Sequence, residues 1–183
     1  VELGGWNEEV YYSQFRVALV CGILKDPPQE TIHEFMSAFS IRPVRAEPLI
    51  EVSKIYRSLE KPGAAYVFAK QAVELPYPQN DILFISEDVY SYGALDEISA
   101  TAYYAGHALE GYNATKKLLE DKLIPEAHVE RVKKNFEQYE TVLQQMQAQQ
   151  VQQNMHQQIE KMKEKKEQKA QTTKYKKKKA ISR

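Results

Sequence analysis

The sequence predicts an all-α protein built from helical hairpins that repeat, and three observations lead there. In residues 45–78, Leu49, Val52, Ile55, Tyr56 and Leu59, then Ala65, Phe68, Ala69, Ala72 and Val73, recur at spacings of three and four, which is helical period. Between the two sets lies "EKPGA", where Pro62 lacks an amide hydrogen and Gly63 tolerates positive φ, so one helix ends there and the chain reverses. A hairpin of this kind buries one face of each helix and needs stacked neighbours to close a core, and matching residues do recur on either side of it.

With Ala46 as position one of a 34-residue unit, Leu49 takes position 4, Val52 position 7, Ser53 position 8, Tyr56 position 11, Ala65 position 20, Ala69 position 24 and Ala72 position 27. Small residues at 8, 20 and 27 let two helices approach closely, while the larger ones fill the space between hairpins. One unit back, Tyr12 opens a copy with Phe15, Ala18, Gly22, Phe35, Ala38 and the closing Pro43 at matching positions. One unit forward, Tyr92 opens a copy with Leu95, Ile98, Ser99, Ala102, Gly106, Gly111 and Leu118. This register resembles the tetratricopeptide repeat, which implies right-handed hairpin units at 12–45, 46–79 and 92–125, with residues 80–91 inserted. The insert is expected to be the longest ordered connection and to pack Ile82, Leu83, Phe84 and Ile85 onto the stack.

Past the third unit, Val132, Phe136, Tyr139, Leu143 and Met146 alternate spacings of four and three, which predicts a capping helix over 126–146 and a repeat domain over 7–140. Gln150 and Gln153 then interrupt the seam within "QQMQAQQVQQNMHQQ". Residues 147–183 therefore read as a glutamine-rich and then lysine-rich tail, a frayed helix or disorder, with little apolar surface to offset ordering entropy.

The balanced charge of 25 basic and 25 acidic residues conceals an asymmetry. Residues 160–183 carry 11 Lys and Arg against 3 Glu, while the preceding residues carry 14 basic against 22 acidic side chains. "KYKKKK", Lys174 to Lys179, is able to attract nucleic acid or an acidic surface, weakly and without sequence preference, since a single tyrosine is available to stack on a base. The longest apolar run, "VALVCGIL", is far too short to span a membrane. Cys21 is alone, which excludes an internal disulfide and makes a reducing, cytoplasmic location the expectation. The opening "VELGGW" has neither a start methionine nor a signal-peptide core and reads as the edge of a fragment.

Catalytic signatures are missing from the sequence. There is no βαβ alternation, Gly-rich phosphate loop or Asp-x-Asp triplet, and the four histidines are scattered without ligand spacing. The pairs Glu8–Glu9 and Glu87–Asp88 read as first-turn residues favoured by helix dipoles. No catalytic residue, cofactor or metal ligand is assigned.

In the repeat register, positions 2, 5, 9 and 12 of each first helix share a face separate from the packing positions and turn into a concave groove. That face comprises Ser13, Arg16, Val20 and Ile23, then Glu47, Ile50, Lys54 and Arg57, then Gly93, Asp96, Ala100 and Tyr103. The candidate binding residues are Arg16, Glu47, Ile50, Lys54, Arg57, Asp96 and Tyr103. Repeats of this superfamily that grip acidic chaperone tails place Asn where Val20 stands, so a carboxylate clamp is not expected.

"GGWNEEVYYSQFRVAL", "RPVRAEPLIEVSKIYR", "AAYVFAKQAVELPYPQNDILFISEDVYSYGALDEIS" and "AYYAGHALEGYNATKKLLE" resemble the tetratricopeptide-type region that follows a family-two glycosyltransferase domain in bacterial and viral proteins. The resemblance covers residues 4–140 and is sharpest in "PYPQNDILFISEDVY", an insertion that a generic repeat lacks. It implies a non-catalytic module that positions a transferase domain or its acceptor. The alternative is a free-standing adaptor holding a peptide or partner helix in its groove.

Overall fold

A computed structural model describes residues 6–181, with side chains over 6–166. The segment 1–5 and the side chains of Lys174 to Lys179 lie outside the described residues. Within them the protein is all-α and contains no strand. The helices are α1 (Asn7–Leu24), α2 (Pro28–Ile41), α3 (Glu47–Ser58), α4 (Pro62–Glu74), α5 (Ala94–Thr101), α6 (Ala108–Glu120) and α7 (Glu126–Ile181), with a π-helical turn, Val89–Gly93, leading into α5. The chain forms two units, Val1–Glu140 and Thr141–Arg183.

Prolines set most of the boundaries. Pro28 and Pro62 occupy the first turns of α2 and α4, where a missing amide hydrogen costs nothing because that donor has no intrahelical acceptor. Pro62 therefore opens a helix as well as separating two. The expected reversal at Gly63 falls elsewhere: Gly63 is already helical, and the left-handed residue is Glu60, at φ 56°. A left-handed residue closes α1 in the same way, at Lys25. Gly106, at φ 82°, makes the turn between α5 and α6.

Consecutive helices pack in sequence through the first unit, α1 on α2, α2 on α3, α3 on α4, α4 on α5 and α5 on α6, while α3 also touches α5 directly. Small residues occupy the crossings: Ala18, Ala38, Ser53, Ala65, Ala69 and Ala102 are fully buried. Three layers of core follow. Ala18, Phe35 and Val52 join α1 to α3, with Phe15, Ile55 and Phe68 around them. Leu49, Ile50, Ala72 and Ala94 join α3, α4 and α5. Leu118, Ile124 and Val132 join α6 to the first turns of α7, with Leu95 and Val129 beside them.

Where an extension of α7 seemed to require packing, the helix continues without it. Every residue from Gln144 to Lys166 is exposed, yet the helix runs unbroken to Ile181. Local pairs one turn apart, Gln150 to Asn154 at 3.1 Å and His156 with Glu160 at 3.5 Å, support it where burial does not.

The insert differs from expectation in which atoms it buries. Residues 75–88 form the longest connection among the described residues, but Ile82 is 75% exposed and Phe84 54% exposed, while Leu83 and Ile85 are half-buried. The segment is irregular, with a turn at 79–80 and a left-handed residue at Phe84, φ 54°, so its apolar side chains do not share one face. Phe84 lies flat on Tyr12 with ring centroids 3.9 Å apart.

Candidate functional site

A cluster of charged side chains fixes the insert and, with it, one wall of a cleft. Arg45, 1% exposed, lies between α2 and α3 and uses all five of its N–H donors. Nε and Nη2 bond the Glu47 carboxylate, Nη1 reaches Asp81 Oδ2 at 3.3 Å and the Leu83 carbonyl at 3.2 Å, and Nη2 also donates to the Phe84 carbonyl at 2.8 Å. Its guanidinium carbon lies 4.6 Å from the centre of the buried Tyr11 ring. Arg42 grips Asp81 as well, and this bond, ahead of Arg45, holds the Asp81 carboxyl below its ordinary range despite opposing burial. From α1, Glu8 Oε2 accepts the amides of Ile82 at 2.9 Å and Leu83 at 2.8 Å. Backbone groups of the insert are thus satisfied by buried ions, which explains how a segment outside any helix stays ordered.

The insert carries the chain to the π-helical turn, where a Cβ on Gly93 would make a tight 3.0 Å contact with the Asp88 carbonyl oxygen. Ser86, Asp88, Val89 and Tyr92 then line one side of a cleft of about 970 Å³. Ile50, Lys54 and Arg57 of α3, Asp96, Ala100 and Tyr103 from α5 and its end, and His128, Arg131 and Asn135 of α7 complete it. Its polar groups are cross-linked. Arg57 Nη2 lies 2.8 Å from Glu97 Oε1, and this bond keeps the guanidinium pKa above its usual value. Arg131 holds Asp96 through both carboxylate oxygens at 2.8 and 2.9 Å, and Lys54 holds Glu51 at 2.8 Å. Tyr139 closes the base: its hydroxyl accepts from the Tyr103 amide and donates to the Ser99 carbonyl, each at 2.9 Å, and burial pushes that hydroxyl up to about 12.

Of the seven candidate residues, five line this cleft: Ile50, Lys54, Arg57, Asp96 and Tyr103. Arg16 is exposed on α1 and lines neither this cleft nor the smaller one of about 460 Å³ beside it, which takes Ile23, Lys54 and Pro28. Glu47 is withdrawn from the groove altogether. At 3% exposure it accepts from Arg45, the Ser86 amide and the Tyr90 hydroxyl, because the first turn of α3 brings its carboxylate onto a buried cation. The expected pairs also separate in role: Glu8 is buried on the insert, whereas Glu9, Glu87 and Asp88 are exposed.

The repeat register omitted the α7 wall, His128, Arg131, Asn135, Gln138 and Tyr139. The signal for it was present, since a helix that packs through Val132, Phe136 and Tyr139 must present the adjoining positions 131, 135 and 138 at the edge of that seam. Cys21 is half-buried, and that environment, followed by a hydrogen bond to Asp26, pushes its thiol above the usual range. Among the described residues no group of three or more His, Cys, Asp and Glu is placed to hold a metal ion. No helix among them is long and apolar enough to cross a membrane. No protein-family model matches the chain, and no curated protein matches it.

Proposed function

We propose that the chain is a non-catalytic binding module of tetratricopeptide type, whose cleft receives a peptide or partner helix. The observation that carries this reading is the cleft itself. Its floor and walls are drawn from the first helices of the second and third units, on Ile50, Lys54, Arg57, Gly93, Asp96, Ala100 and Tyr103, the positions that a repeat register turns inward. The packing of Ser53, Ala65 and Ala72 at the close crossings supports the same register. The resemblance over residues 4–140 gives the module its context, as a region accompanying a glycosyltransferase domain that places the domain or its acceptor, with a free-standing cytoplasmic adaptor as the alternative.

The test is a peptide-display selection against the full chain, repeated with Ala100→Trp, which fills the cleft from a half-buried position on α5. Sequences enriched by the native chain and lost with the variant support the reading. Enrichment indifferent to the variant, in a protein of unchanged circular dichroism, refutes it. Sugar-nucleotide turnover in a metal-replete assay is expected to be nil, and turnover that follows the protein through repurification would overturn the non-catalytic assignment. The lysine-rich tail adds a second contact, a weak and salt-sensitive one with nucleic acid or an acidic surface. Binding of a labelled duplex by the full chain, absent from a truncation ending at Gln158 and fading with salt, is the expected result.

A further inference from the structure

The charges lining the cleft are unequally committed. Its cations Lys54, Arg57 and Arg131 are each held by a carboxylate, Glu51, Glu97 and Asp96 respectively, at 2.8 Å. Asp88 and Glu60 also line the cleft, both exposed, and neither has an ion pair or hydrogen-bonded side-chain partner among the described residues. An incoming anion would have to break an existing pair before meeting a cation, whereas an incoming cation meets two uncommitted carboxylates. Between the charges stand aromatic faces, the half-buried Tyr103 and Tyr104, which is 66% exposed.

We propose that the occupant of the cleft is a lysine- or arginine-rich peptide of a partner protein. Its basic heads lie on Asp88 and Glu60, and its alkyl stems or guanidinium planes lie on Tyr103 and Tyr104. Like charge excludes acidic segments, and the three internal pairs keep the walls in place while the ligand enters. The proposal rests on the reading of the cleft as a peptide site and adds the chemistry of the peptide.

Fluorescence anisotropy of three labelled dodecapeptides decides it: one alternating Lys and Ala with a single Tyr, and counterparts with Glu or Ser in place of Lys. Each peptide is titrated at fixed salt against the full chain and against the full chain carrying Ala100→Trp, so that contact with the lysine-rich segment, present in both, is separated from binding in the cleft. The Lys peptide is expected to bind the cleft, the Glu peptide to show no binding that Ala100→Trp removes, and the double variant Asp88→Asn/Glu60→Gln to weaken the Lys peptide roughly five- to tenfold, the effect of two exposed ion pairs. Both substitutions are at exposed positions and are expected to leave the helical spectrum unchanged. Equal or tighter binding of the Glu or Ser peptide that Ala100→Trp removes, no such binding of any of the three, or Lys-peptide affinity unaltered by the double variant overturns the proposal. A Glu or Ser peptide that binds and is displaced by Ala100→Trp would leave the cleft a peptide site with a different partner. Lys-peptide binding that survives Ala100→Trp in a folded protein would remove the cleft itself.

Discussion

Asp81 is a short side chain with a large structural task, since Arg42 and Arg45 both converge on it from the α2–α3 connection. The Arg42 bond and then Arg45 hold its carboxyl below the ordinary range, against the opposing push of burial. A carboxyl depressed in this way contributes stability above its unfolded pKa of about 3.9 and loses it as pH falls through the lower folded value. Asp81→Asn should therefore cost about 1.5–3 kcal/mol at pH 7, the range for hydrogen bonds to charged groups. In urea titrations the deficit should begin to shrink below about pH 4, where the unfolded carboxyl protonates, and vanish once the native one does at its lower value. A deficit equal at pH 7 and pH 3 would show that the charge is not what Arg42 and Arg45 require. The neighbouring Tyr11 is the opposite case. Its ring supports Arg45, but its buried hydroxyl has no hydrogen-bond partner among the described residues, and burial pushes that group far above the phenolic range. Tyr11→Phe removes an unsatisfied polar atom and keeps the ring, so stability should hold or rise by about 1 kcal/mol. A loss of that size would reveal an unseen partner for the hydroxyl.

At the scale of elements, the helices were legible because period and proline act locally. Helical period and proline positions marked out the helices that become α1 to α6 without any knowledge of contacts, and Gly111 falls where two helices come close. The insert was legible as an interruption but not as a structure. Its order depends on Glu8, Arg45 and Glu47 finding backbone atoms about forty or more positions away, and polar satisfaction of that kind has no period to read. Hydrophobicity alone suggested that Ile82 and Phe84 would be buried, whereas the bend at 83–84, with Phe84 left-handed, leaves both exposed. Part of the cleft was hidden for a related reason, because a register confined to the repeats cannot see a wall supplied by α7. Gly111 joins these two kinds of information. A Cβ on it would lie 2.2 Å from Tyr139, the α7 residue that ties Tyr103 to Ser99. Gly111→Ala must displace a buried ring and should cost about 1–3 kcal/mol, the range for overpacking, despite the better helix propensity of alanine. It should also weaken any ligand of the cleft, whose base the ring forms. A variant as stable as the native chain would mean that α6 and α7 separate freely there.

Over the whole molecule, stability is distributed between two units held by different forces. In Val1–Glu140, the layers of buried residues and the charged cluster around Arg45 make unfolding cooperative, since each layer draws on at least three helices and neighbouring layers share α3 or α5. From Gln144 to Lys166 the helix has no buried residue, so only propensity and pairs one turn apart oppose its loss of order. Helicity of that sort melts gradually, by fraying, and not as a two-state event. Far-ultraviolet circular dichroism should accordingly show a broad decline on warming that begins well before the near-ultraviolet signal changes. The near-ultraviolet signal reports the first unit, because Trp6 and every tyrosine except Tyr175 precede Thr141. Truncation after Leu143 should remove the sloping limb and move the near-ultraviolet midpoint by no more than about 2 °C, a change of well under about 1 kcal/mol for a domain of this size. Coincident transitions in the two spectral regions would mean that the exposed face of α7 is buried in solution. A midpoint that falls with dilution in the full chain but not in the truncation would assign that burial to a second copy, with Val151, Met155, Ile159 and Met162 the side chains to test, since their spacing places them within one arc of the helix.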